Sequence, residues 1–332
     1  MTSGHLVPPD GGAYFDTRDL TPFRRARVRN PASGLADGVG GAVSGVLRRR
    51  STQRLSVAGD VPPLKRFAGR TAKAMHAAVF TGTEPERLLL LARANPGWAG
   101  LCQVLAGLLA YKHGSYLRAA ELLRLGISTR IDDAASQFSA AYLGRVVSTV
   151  EVAERVEVQV LFSEESVFLA LSHCLREAGQ TAAALDALAG QPPSLPTALA
   201  RCTAASALGW HRDVVGWTAG LHNTDDLSAA LLLLRARSLR ALGESGAAQS
   251  ALSEVLRRRK TSLSLRNDAL TDRALLALDA GRRALLPGSR RGGNAITGGP
   301  AGSGAINRDG LIRKDAEMRR LWEQDWKDLG GD

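Results

Sequence analysis

Long apolar runs are missing from this sequence. Nowhere does it offer the roughly 18 uninterrupted apolar residues that a membrane span needs. The apolar stretch from Gly34 to Leu47 is glycine-rich and contains Asp37, so it reads as a flexible linker rather than an anchor. The first residues, Met1-Thr2-Ser3-Gly4-His5, lack the basic-then-apolar order of a secretory signal. Cysteine is scarce too. Cys102, Cys174 and Cys202 are widely spaced, odd in number and never in a CxxC, which argues against a zinc knuckle or a redox pair. Each lies among apolar residues at helical spacing and is expected to be a buried thiol, which fits a reducing, cytoplasmic setting.

Catalytic signatures are equally absent. The sequence contains no HExxH, no GxSxG and no glycine loop ending in GK[ST]. Gly38-Val39-Gly40 lacks the third glycine of a dinucleotide fingerprint, and no strand pattern precedes it. His173 and Cys174 are adjacent, and neighbours on a helix point about 100° apart, which is wrong for a nucleophile and its base. His211, Asp213 and His222 flank turns, where capping or solvation accounts for them. No enzymatic activity, no cofactor and no metal are expected.

Aromatic residues are only 5% of the chain. Alanine and leucine abound instead, a composition suited to helices packed closely through small side chains. The formal net charge is +11 and is unevenly spread. Residues 1–70 hold 12 Lys/Arg against 5 Asp/Glu, residues 71–286 hold 23 against 20, and residues 287–332 hold 8 against 7. The excess lies in the N-terminal arm, in the clusters Arg24/Arg25/Arg27/Arg29 and Arg48/Arg49/Arg50/Arg54. Such an arm can attract nucleic acid or anionic lipid headgroups; the alternative is a solvated tail.

Punctuation divides the chain. Residues 1–61 carry prolines and glycines without helical periodicity and are expected to form a disordered basic arm. Residues 62–145 read as N-terminal helices and a first helix pair, Trp98 to Lys112 and Tyr116 to Ile127. Within them Thr83-Glu84-Pro85-Glu86 has the form of a capping box. From Val146 to Phe162 valines alternate with polar residues around Ala153-Glu154-Arg155, which predicts an inserted β-hairpin, with one continuous helix as the rival. Residues 163–286 read as further pairs that turn at Gly179, Gly209, Gly243 and Gly281. With Gly114 the turn spacings are 65, 30, 34 and 38 residues, scattered about a period of roughly 34. Residues 287–307 form a Gly/Ser/Pro-rich flexible linker. Residues 308–332 carry Leu311, Ile312, Met318, Leu321, Trp322, Trp326 and Leu329 at the spacing of an amphipathic C-terminal helix.

The helix pairs resemble tetratricopeptide repeats from about Gly97 to Arg283. Gly107, Gly114, Tyr116 and Ala119 fill the family's small, turn, aromatic and alanine positions in the first unit. Leu171, Leu175, Gly179, Ala184 and Leu188 do so in the second, and Arg235, Ala236, Leu239, Gly243, Ala248 and Leu252 in the fourth. The turn aromatic is replaced by Thr181, His211, Ser245 and Arg283, so the repeats are degenerate. The stretch from Asn223 to Lys260 also resembles uncharacterised bacterial tetratricopeptide-repeat proteins, which implies no activity.

The resemblance implies an all-α, TPR-like α-solenoid of antiparallel helix pairs with a small β-hairpin. It also implies a non-catalytic adaptor or scaffold that holds a peptide or partner helix in its concave face. Aligning turn glycines places the inward-facing positions on Tyr111 and Lys112, on His173, Arg176 and Glu177, and on Arg237 and Arg240. The third unit supplies only Leu199, Thr203 and Ser206, and the last supplies Asp268 and Asp279. The expectation is a groove that is basic in the middle, suited to an acidic segment or a free C-terminus, with one acidic end. The alternative is that these arginines are solvated or pair with neighbouring acids.

Overall fold

The computed structural model describes residues 25–28 and 54–285, with side chains from 54 to 281. Most of the N-terminal arm, the 287–307 linker and the 308–332 helix lie outside the described residues. The fold is the compact unit that ends at Arg282. Its strands are β1 (Arg25–Val28), β2 (Ser56–Val57), β3 (Val146–Ala153) and β4 (Val156–Leu161). Its helices are α1 (Arg70–Phe80), α2 (Pro85–Ala94), α3 (Ala99–Lys112), α4 (Tyr116–Ser128), α5 (Asp133–Tyr142) and α6 (Glu164–Glu177). They continue as α7 (Thr181–Ala187), α8 (Leu195–Ala207), α9 (His211–Trp217), α10 (Asp226–Ala241), α11 (Ser245–Arg257) and α12 (Leu263–Leu285). Among the described residues no helix is long and apolar enough to cross a membrane.

The helices form hairpins, and one turn is built four times. Gly114, Gly179, Gly209 and Gly243 have φ of 77°, 73°, 77° and 82°, the left-handed region that glycine enters without a Cβ penalty. Each turn closes with the same bond from the residue after the glycine to a carbonyl five residues earlier: Ser115 to Ala110, Gln180 to Leu175, Trp210 to Ala205, and Glu244 to Leu239. Five residues beyond each glycine stand Ala119, Ala184, Val214 and Ala248, all 0% exposed. Helix contact here is intolerant of side-chain bulk. A Cβ on Gly107 would meet Leu123 Cδ2 at 2.8 Å, and one on Gly126 would meet Val104 Cγ2 at 2.7 Å, so α3 and α4 approach through glycine.

Two local expectations fail. Gly281 is not a turn but lies inside the continuous helix α12. With no sterically required left-handed residue there, nothing interrupts the helical ladder. Thr83 makes no capping bond: Glu84 is the residue at the cap of α2, without a side-chain bond, and Pro85 opens the helix. Proline suits that first position because its missing N–H has no helical partner anyway. Other helix starts are capped by side chains. Ser163 and Ser166 form a reciprocal box at α6, and Asp225 and Ser228 form one at α10.

The predicted hairpin is present, but the fold is not all-α with a lone insertion. Segments of the arm expected to lack structure add strands on both sides, giving a four-stranded antiparallel sheet in the order β1-β4-β3-β2. Arg25 pairs with Gln159 and Val28 with Val156, while Ser56 pairs with Val147. Isolated hairpins are marginal in water, and further strands with a buried face stabilise them. Val146, Val150, Val152, Val156, Val158 and Val160 form that buried face.

The first helices of successive pairs, α3, α6, α8 and α10, pack side by side. The sheet lies across this row, with β3 against α6 and α8 and β1 against α10. Burial follows from this placement. Leu195 to Cys202 of α8 and Leu227 to Leu233 of α10 are buried on every side, as expected for helices covered on both faces. The second helix α11 buries only Ala248, Ala251, Leu252 and Val255.

Candidate protein-interaction face

The six residues expected to line a groove fall into two clusters, and both serve internal contacts. The first joins Tyr111, Lys112, His173 and Arg176 around the sheet. The hairpin register shifts between Glu151 and Ala153, leaving Val152 without a cross-strand partner. Such a bulge takes backbone groups off the ladder. Side chains from two helices receive them: the Glu151 N–H donates to Tyr111 Oη at 3.1 Å, and Arg176 Nη1 donates to the Val152 carbonyl at 2.9 Å. Burial raises the Tyr111 phenol pKa and lowers that of the Arg176 guanidinium, the latter opposed by Glu177 and Glu151. His173 is 4% exposed. Its ring stands edge-on to Tyr111 and Tyr116 at centroid distances of 5.5 and 5.2 Å. Lys112 donates from Nζ to the Arg54 carbonyl and to Ser56 Oγ, tying β2 to the end of α3, and partial desolvation lowers its pKa.

The second cluster lies farther along. Arg237 Nε is 2.7 Å from Asp272 Oδ2, and Arg240 Nε is 2.7 Å from Asp279 Oδ2. A third arginine joins them from the hairpin turn. Arg155, with φ of +64°, reaches both carboxylate oxygens of Asp268 at 3.2 and 3.1 Å. Three cations from two elements thus meet three aspartates of α12. Residue-level reading missed Arg155 and Asp272. A signal for the aspartates existed: positions 268, 272 and 279 are spaced by four and seven, which is one helix face. Arg155 carried no such sign, because only the fold brings the hairpin turn to α12. The expected acidic end and basic middle of a groove are therefore partners of one another.

No protein-family model matches this sequence, and no curated protein does. Among solved structures, the N-terminal domain of the EccA1 ATPase from the ESX-1 secretion system of Mycobacterium tuberculosis is similar, with a TM-score of 0.47 and 12% identity. The likeness covers 65% of this chain and 80% of that one.

The cysteines are buried, and desolvation pushes each thiol pKa up to about 12. A thiol so raised is a poor nucleophile at neutral pH. Among the described residues no cluster of three or more His, Cys, Asp or Glu could hold a metal ion.

Proposed function

We propose that this protein is a non-catalytic adaptor of tetratricopeptide type, which binds an acidic segment of another protein on the face made by its first helices. The observation that carries this reading is the arginine row. Arg155, Arg237 and Arg240 already hold the carboxylates of one helix, with 34%, 44% and 31% of their side chains exposed. Guanidinium forks suit carboxylates, and all three arginines stay partly open to water. The inner part of the first-helix row is covered by the sheet, so the binding face is its rim on α10 and the hairpin turn.

The test is capture of partner proteins from the native host by the full chain and by its R237E/R240E variant. Loss of capture at unchanged helical circular dichroism supports the reading. Unchanged capture refutes it and transfers the role to the N-terminal arm. That outcome has its own signature, because arm-driven binding to nucleic acid or anionic lipid weakens steeply with salt.

A further inference from the structure

The arginine row does more than fasten α12. We propose that Arg155, Arg237 and Arg240 form a docking surface for an amphipathic helix of a partner protein that carries carboxylates along one face, and that α12 holds that surface in cis until such a helix displaces it. This rests on the adaptor reading above and names both its ligand and its regulation.

The shape of the ligand is read from α12 itself. Asp268, Asp272 and Asp279 follow the spacing i, i+4, i+11, and each meets one arginine. Between them Leu265, Ala269 and Leu276 are buried at 3%, 0% and 6% exposure. A competing helix therefore needs carboxylates at that spacing, with an apolar residue three positions before each of them. The aspartates of α12 thus face the protein, while Leu263 and Leu278 are 61% and 60% exposed.

Exchange would start from the arginine side, because Asp272 itself is only 7% exposed. Arg237 and Arg240 each contact their aspartate through Nε, and both guanidinium groups stay partly in water. A second carboxylate can therefore approach before the first leaves, so neither arginine is stranded without a counter-charge. The two sources of aspartate, in cis and in trans, compete for the same nitrogens.

The experiment uses a fluorescent synthetic peptide of residues 262–282 and measures its anisotropy against the full chain and the full-length D268N/D272N/D279N variant. Removing the competitor in cis should tighten peptide binding by about tenfold or more. Asp→Asn replacement at the same positions of the peptide should abolish binding, as should adding R237E/R240E to the triple variant. If the triple variant does not fold, D279N alone reports a smaller tightening of roughly threefold. Equal affinity for the unaltered and variant chains overturns the proposal. So does absence of binding to a variant that circular dichroism shows to be folded. A dimer in sedimentation that depends on α12 would make a second copy the occupant and would also overturn it. If peptide binding fails while host-partner capture persists, the docking mode is wrong and the adaptor reading stands.

Discussion

Tyr111→Phe and Arg176→Met together test what the inward-facing residues are for. Each change removes one bond to the hairpin bulge and leaves the rest of the side chain to pack. Tyr111→Phe strands the Glu151 N–H, and Arg176→Met strands the Val152 carbonyl. A buried polar group left without its partner costs about 1–3 kcal/mol. Both hydrogen bonds are only partly buried, so the lower half of that range applies, about 1–2 kcal/mol each. At about 2–4 °C per kcal/mol for a unit of this size, each variant should melt roughly 2–8 °C lower. The two bonds hold adjacent groups of one strand, so once either is lost the bulge relaxes and the second matters less. The double variant should then fall short of additivity by about 0.5–1 kcal/mol. Urea unfolding of the four proteins gives this cycle, and hydrogen exchange adds a local readout: the Glu151 amide should lose protection in Tyr111→Phe. Unchanged melting with loss of partner capture would refute the argument and return Tyr111 and Arg176 to a ligand site.

Gly107→Ala should destabilise by about 1–3 kcal/mol in urea unfolding, because the new methyl meets Leu123 at 2.8 Å. Gly216→Ala, with nothing within 4 Å in its helix, should instead stabilise by about 0.5–1 kcal/mol; equal effects would show that proximity across α3 and α4 is not the cause. Cys102, Cys174 and Cys202, buried with thiol pKa values of about 12, should resist alkylation at pH 8 in the folded protein. All three should react in denaturant, and fast labelling of any one without denaturant would contradict its burial.

The helix pairs were legible because their cause is local. A turn glycine and a buried apolar residue five positions later, alanine in three of the four, recur at Gly114, Gly179, Gly209 and Gly243, and both residues stand in the sequence. Alternating valines announced the hairpin for the same reason, since one face of a strand repeats every second residue. Gly281 misled because a glycine alone does not make a turn: inside α12 the flanking helix-formers prevail. The strand at Arg25–Val28 was invisible, because four residues without periodicity become a strand only when β4 offers them an edge.

The role of the charged residues was decided by tertiary structure. Sequence determined that Tyr111, Arg176, Arg237 and Arg240 sit on first helices at equivalent turns, and that α12 carries acids on one face. It did not determine that the sheet would lie across those helices, nor that Arg155 would arrive from the hairpin turn to meet Asp268. Local patterns set which way a side chain points from its own helix. What stands opposite depends on segments 39, 35 and 113 residues distant in the chain, and Coulomb attraction acts on distance in space, without regard to separation in sequence.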